Sequence, residues 1–237
     1  MILDPSFITK VGLALLVAAV LAFAVTPLVK RLAQKVGAMD VPTDGRRMHH
    51  RPIPRMGGLA IFTAFLVSTL LFAFPEIDRE VRGILLGAVI IVILGVLDDI
   101  FTLHAGLKFV VQIVAAVVTV LHGCRIEHFM GLQLATWLSY PVSVIWIVAI
   151  TNAVNFIDGL DGLAAGVCAI SAGAMLAVAL LVADFMSAVM LAAIVGACVG
   201  FIPYNFNPAK IFMGDTGSTF LGFMLSTISI YGLFKMY

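Results

Sequence analysis

The sequence predicts an all-α fold, a polytopic transmembrane helical bundle of about eight spans, and three observations carry that prediction. Hydrophobic residues make up 62% of the chain and charged residues 11%, whereas a soluble domain carries about a quarter charged residues. Mean hydropathy is +1.14. Apolar runs approaching the roughly 20 residues that a helix needs to cross about 30 Å of hydrocarbon recur along the whole chain. Open sheet edges cannot be satisfied in lipid, and no dyad alternation marks a barrel.

The first run, Phe7–Val29, partly imitates a secretory leader, because Val11–Leu21 precedes Ala22-Phe23-Ala24. Asp4 and a lone Lys10 make a poor basic leader region, and the apolar run continues to Val29 before a strongly basic stretch, so a retained span is expected. The remaining runs are Gly57–Phe74, Gly83–Leu97, Phe109–Leu121, Trp137–Ile150, Leu163–Ala183, Ser187–Phe201 and Ser218–Phe234. The third, fourth, fifth and seventh are short for a span, so composition leaves their ends undefined. Gly162–Gly166 and Gly196–Gly200 have the small-xxx-small spacing of close helix packing. Cys124, Cys168 and Cys198 lie far apart and offer neither a disulfide framework nor a zinc spacing; they read as small hydrophobes.

The loop after the first span holds Lys30, Arg31, Lys35, Arg46, Arg47, Arg51 and Arg55, half of the 14 Lys and Arg residues in the chain. Such a loop is expected on the cytoplasmic side. Alternation from there puts Asp98–Lys108, Asn152–Asp161 and Asn205–Gly217 on the same side, and Pro75–Arg82, Gly123–Thr136 and a turn at Asp184 on the other. Asp98, Asp99, Asp158, Asp161 and Asp215 therefore fall at three span ends of one leaflet. Ionisable groups at membrane depth are costly, so such a collection marks a functional site. The net charge of +1 and the lack of a long basic tract give no reason to expect a nucleic-acid partner.

Each acidic group also has a structural explanation. Asp98-Asp99 closes an apolar run, where two like charges would repel without a nearby cation; a divalent ion would satisfy them, and so would helix capping. In Asn152-Ala-Val-Asn155-Phe-Ile-Asp158-Gly-Leu-Asp161-Gly, the two amides and two carboxylates recur at i, i+3 and share a face if helical. Asp161 is alternatively an N-cap of the sixth span. Asp215 or Thr216 would cap the eighth span, or the exposed amides there would receive phosphate oxygens while Asp215 held a metal. Lys108 reads as a flanking charge or as a group reaching back to a phosphate. His49 and His50, among Arg46, Arg47, Arg51 and Arg55, make a basic juxtamembrane loop suited to anionic headgroups. No Walker-type run supports a P-loop ATPase.

Together, Arg46–Gly58, Asp98-Asp99 with Lys108, Asn152–Gly162 and Pro208–Ser218 resemble, in joint order and topology, the polyprenyl-phosphate N-acetylhexosamine-1-phosphate transferases, which form glycosyltransferase family 4. The stretch Pro-Ile-Pro-Arg-Met-Gly-Gly looks more like the enzymes that start teichoic-acid, O-antigen or common-antigen lipids than the muramoyl-pentapeptide branch. The resemblance implies attack by a polyprenyl (undecaprenyl) phosphate oxygen on the β-phosphorus of a UDP-N-acetylhexosamine, with GlcNAc-1-phosphate the expected transferred group and UMP the leaving group. It implies magnesium or manganese as cofactor, with Asn155 and Asp215 as metal ligands. Asp98, Asp99 and Asp158 are the implied catalytic residues, and Lys108, Asn152, Asp161, Arg46 and His49 the implied substrate-binding ones. A multi-pass enzyme of the plasma membrane, active on its cytoplasmic face, is expected, and a homodimer is left open. Full enzymes of the family continue through further spans and a His-rich loop; here the last histidine is His128. Residues 1–237 are thus expected to form a single integral membrane transferase domain without those parts.

Two other classes fit parts of the pattern. An ion-coupled transporter also places carboxylates among broken helices, but predicts acids near the bilayer midplane and repeated halves. An inactive scaffold derived from the transferase need not show metal-dependent binding of a UDP-sugar.

Overall fold

The computed structural model describes residues 4–42, 52–129 and 132–233. Eight α-helices follow one another: α1 (Pro5–Val36), α2 (Gly58–Ala73), α3 (Arg79–Phe101), α4 (Ala105–Leu121), α5 (Thr136–Ile157), α6 (Leu163–Leu181), α7 (Phe185–Asn205) and α8 (Gly214–Ile228). Among the described residues there are also two small antiparallel ribbons, β1 (Met39–Asp40) with β2 (Ile53–Pro54) and β3 (His128–Phe129) with β4 (Leu132–Gln133), a 3-10 turn at Phe74–Glu76 and a π-helical turn at Ser229–Leu233. Among the described residues six helices are long and apolar enough to cross a membrane, α2 by virtue of the 3-10 turn Phe74–Glu76 that continues it; α4, with 17 residues, and α8, with 15, are shorter. The fold is the expected all-α polytopic bundle, with eight helices matching the eight apolar runs.

The helices overrun those runs where polar residues continue the helical turn. α1 carries Lys30, Arg31 and Lys35 on its last turns, α3 includes Asp98 and Asp99, and α5 includes Asn152 and Asn155. Hydropathy marks the lipid-facing part of a helix and not its hydrogen-bonded end, so the chemistry-bearing residues of α3 and α5 sit on rigid helix.

Packing follows the small residues. Along α1, Val11, Ala14, Ala18, Ala22 and Val29 form a buried stripe with the 3–4 residue spacing of a helix face. It crosses α7 where a Cβ on Gly196 would strike the Leu15 carbonyl and one on Gly200 the Ala19 carbonyl. That is the close approach which the Gly196–Gly200 spacing predicts. The other pair behaves differently: Gly166 faces open space, and Gly162 has φ +74° at the turn into α6, so the Gly162–Gly166 spacing marks no crossing. The three cysteines are free and buried.

α7 and α8 form the centre of the bundle, and every residue of α8 from Thr216 to Ile228 is buried. Most other helices turn one face to lipid, with Leu71, Ile93, Val114, Ile145 and Ile170 among the exposed large apolar residues. Three helices start at their own aspartates: Asp4 accepts from the Ser6 N–H at 2.9 Å, Asp78 from Val81 at 2.8 Å and Asp184 from Ser187 at 3.3 Å, each satisfying a donor that the first turn leaves free. α8 has no such local cap. Its N-terminus lies at the opposite end of the bundle and is capped from elsewhere.

Candidate active site

The loops expected on one side do meet at one end of the bundle. Consecutive residues on a helix point about 100° apart, and Asp98 and Asp99, in the last turn of α3, serve different neighbours. Asp99 is 5% exposed. Its Oδ1 accepts the Asp215 N–H at 3.0 Å; its Oδ2 accepts the Thr216 N–H at 3.1 Å and the Thr216 hydroxyl at 2.6 Å. This carboxylate is the missing cap of α8, supplied from 116 residues away. The positive end of a helix favours an anion there. The approach is tight: a Cβ on Gly95 would collide with the Thr216 backbone, and one on Gly58 with the Gly217 backbone.

Asp98 faces α4. Its Oδ1 accepts the Leu103 N–H at 2.7 Å, which shapes the α3–α4 turn, and its Oδ2 accepts from the Lys108 ammonium at 3.0 Å. The same ammonium donates to Asp215 Oδ2 at 2.8 Å. Lys108 therefore bridges two carboxylates from α3 and α8, the arrangement that lets two like charges share one place.

From α5, the Asn155 side chain donates to Asp215 Oδ1 at 3.2 Å and to the Ser218 hydroxyl at 2.8 Å. The two oxygens of Asp215 are thus held by different helices. Asn152 lies one turn deeper and bonds not to a carboxylate but to Gln112 Oε1 at 2.6 Å and the Val148 carbonyl at 2.8 Å. Asp158 ends α5. Burial, followed by the charges of Asp215 and Asp99, pushes its carboxyl up to about 8.

Asp161 does not cap α6, whose N-cap position is occupied by Gly162. It accepts the Ala209 N–H at 2.9 Å, and Asn205 accepts the Gly162 N–H at 3.1 Å. These bonds stitch the α5–α6 turn to the loop before α8. The Pro54–Gly58 stretch docks on the same loop: Phe212 N–H donates to the Pro54 carbonyl at 2.8 Å, Gly57 N–H to Phe212 at 2.9 Å and Gly58 N–H to Met213 at 2.8 Å. Arg55 pairs with Asp40 at 2.6 Å beside the β1–β2 ribbon. Arg46 and His49, with their neighbours Arg47, His50 and Arg51, lie outside the described residues.

Sequence reasoning passed over Gln112, Thr216's hydroxyl as a ligand of Asp99, and Ser218. Gln112 had a signal: it is a lone amide in an apolar helix, four residues after Lys108.

Asp98, Asp99, Asp158 and Asp215 share this end, and Lys108 is the cation that bonds to two of them, so the cluster has room for more positive charge. Among the described residues no three carboxylate, imidazole or thiol groups converge to form a closed metal cage. The donor set instead suits a hard cation held by one or two carboxylates that completes its shell with water and phosphate oxygens, as magnesium does. The groups that could hold such an ion are the Asp215 carboxylate and the amide oxygen of Asn155, whose NH2 donates to Asp215 and Ser218.

The sequence model of glycosyl transferase family 4 matches residues 81–233, the stretch that contributes every bond in the carboxylate cluster. A probable undecaprenyl-phosphate N-acetylglucosaminyl 1-phosphate transferase of Bacillus subtilis is 41% identical over 231 residues, covering 95% of this chain and 64% of its own length. A decaprenyl-phosphate N-acetylglucosaminephosphotransferase of Mycobacterium tuberculosis is 37% identical, covering 93% and 60%. A phospho-N-acetylmuramoyl-pentapeptide-transferase of Desulforudis audaxviator is 37% identical, covering 92% and 74%. The chain thus spans less than two thirds of the length of the first two relatives.

Proposed function

The chain belongs to glycosyl transferase family 4, and on that premise we propose that it transfers an N-acetylhexosamine 1-phosphate, GlcNAc-1-phosphate first among them, from a UDP-sugar to polyprenyl phosphate at the cytoplasmic face of the plasma membrane. The product would be a lipid diphosphate sugar that starts a cell-envelope glycan. The observation that carries this reading is the Lys108 ammonium held between Asp98 and Asp215, with Asn155 on the far oxygen of Asp215, all at one end of an apolar bundle. The names of the relatives support the same chemistry. The basic stretch Lys30–Arg55 supports the cytoplasmic placement.

Phosphoryl transfer asks little covalent chemistry of a protein; it asks for in-line positioning and for neutralisation of charge on the transferring group. A polyprenyl phosphate oxygen attacks the β-phosphorus of the donor, and the bond to the α-phosphate oxygen breaks to release UMP. A phosphate monoester is already largely ionised near neutral pH, so Asp98 orients the acceptor through Lys108 and has no need to act as a strong base. Lys108 offsets phosphate charge. Asp215 and Asn155 would hold magnesium or manganese, which when bound neutralises charge on the diphosphate. Asp99 fixes where Asp215 stands by holding the first turn of α8, and Asp161 fixes the loop that leads to it. The carboxylates gather at a bundle end and not at mid-depth, which weighs against an ion-coupled transporter.

The test is direct. Purified chain in proteoliposomes is given undecaprenyl phosphate, magnesium and, in parallel, several labelled UDP-sugars. The expected result is UMP together with a lipid-linked sugar from UDP-GlcNAc, abolished by chelator. Labelled sugar accumulating inside vesicles without lipid product would overturn the proposal.

A further inference from the structure

Residues four apart on a helix lie one above the other, as do residues three apart. Lys108 and Gln112 therefore share a face of α4, and Asn152 and Asn155 share a face of α5. The structure joins these faces by two rungs. The outer rung runs from Lys108 to Asp215 Oδ2 and from Asp215 Oδ1 to Asn155. The inner rung, one turn deeper, is the 2.6 Å bond from the Asn152 amide to Gln112 Oε1.

The inner rung is costly to place and therefore informative. Gln112 is 4% exposed, and a buried amide destabilises unless it is paired. Asn152 is held further by its bond to Val148. Neither amide bonds to a carboxylate of the site. α4 is a peripheral helix, packed chiefly on α3 and α5, with Phe109, Val110, Val114 and Val117 exposed on its outer side. The Asn152–Gln112 bond joins α4 to α5 side chain to side chain, whereas α4 is fixed on α3 by the Thr119 hydroxyl donating to the Gly83 carbonyl.

Building on the transferase reading above, we propose that Gln112 is a positioning residue: through Asn152 it sets the register of α4 on α5, so that Lys108 and Asn155 reach opposite oxygens of Asp215. Asn152 then serves the reaction from behind the site and does not touch the sugar nucleotide.

The experiment compares the wild-type chain with Gln112→Ala, Asn152→Ala and the double variant in proteoliposomes. It reads kcat and KM for both substrates, and also the rate at which an amine-reactive reagent labels Lys108, resolved by peptide mass spectrometry. Misplacement of a positioned group by about 1 Å costs up to roughly 100-fold in rate. Expected are a kcat lowered by about 10- to 100-fold in each single variant, no further loss in the double, unchanged KM values, and faster labelling of Lys108. The exchange Gln112→Asn with Asn152→Gln keeps the summed length of the rung and should recover activity. Wild-type kcat and labelling in Gln112→Ala would overturn the proposal, even with lowered thermal stability, because the pair would then be packing alone. A raised donor KM in Asn152→Ala but not in Gln112→Ala would overturn it too, by placing Asn152 on the substrate. Should Gln112→Ala fail to fold, Gln112→Met, of similar volume, decides on the same readouts. A wild-type chain without turnover would count against the transferase reading, and the Lys108 labelling would then decide the register claim by itself.

Discussion

Replacing Thr216 by valine removes one hydroxyl from the cap of α8 and changes little else. The side chain is fully buried, and valine matches its shape. The lost bond, 2.6 Å to Asp99 Oδ2, is made to a charged acceptor, and such bonds contribute about 1.5–3 kcal/mol. The methyl that replaces the hydroxyl returns about 0.8 kcal/mol of apolar burial. Destabilisation by about 1–2 kcal/mol is expected, because the Asp99 charge stays buried with one ligand fewer. Thr219→Val is the matched control. Its hydroxyl binds the neutral carbonyl of Asp215 within the same helix, a bond that contributes about 0.5–1.5 kcal/mol, so the two contributions nearly cancel. Reversible unfolding in mixed micelles, followed by the fluorescence of Trp137 and Trp146, gives both free energies. Equal stabilities for the two variants would refute the claim that Asp99 holds α8 through a charge-assisted cap.

Lys108→Met leaves Asp98 and Asp215 facing each other without their shared cation; UMP release should fall by about 100- to 1,000-fold, the loss typical of a removed electrostatic stabiliser, and Lys108→Arg should recover only part of it. Gly200→Leu drives a side chain into the Ala19 carbonyl and should prevent the α1–α7 crossing, seen as loss of folded protein on size-exclusion chromatography. Gly166→Ala, at a helix position open to its surroundings, should raise stability by about 0.5–1 kcal/mol through restricted unfolded-chain freedom. Asp158 carries a carboxyl raised from 3.8 to about 8, so the folded chain binds its proton more tightly than the unfolded chain and loses stability as pH rises between those values. Asp158→Asn lacks that loss; without divalent cations, the gap in thermal midpoint between variant and wild type should open in favour of the variant from about pH 4 to 8 and stay level above, and a gap that closes with rising pH would contradict the assignment.

The fold was legible because lipid imposes a single strong pattern: eight apolar runs became eight helices, and their parity brought three acidic segments to one end. What hydropathy could not see was the division of labour inside the site. Asp98 and Asp99 are adjacent and chemically identical in the sequence, yet one faces a lysine and the other caps a helix that begins at Gly214. Only the tertiary contact at Gly95 separates them. For Asp161 the spacing from α6 left a local cap open as the alternative to a substrate contact, but a glycine with φ +74° stands at the cap position and the carboxylate accepts the Ala209 N–H. Asn152 shares its helix face with Asn155 as its spacing requires, and its partner proved to be an amide on another helix. Gly162–Gly166 has the same spacing as Gly196–Gly200, and only the second pair meets another backbone. Periodicity reports which residues share a face, not what that face meets.

α8 meets protein on every side along its length. It follows seven other helices in the chain, and in the folded bundle it fills a slot lined by α2, α3, α5, α6 and α7. Until it does, the Asp99 carboxylate waits in an unfilled cleft without its three donors. A bundle that has not admitted this helix therefore keeps a carboxylate out of water without the donors that satisfy it, a costly state that ties the seating of α8 to the settling of α3.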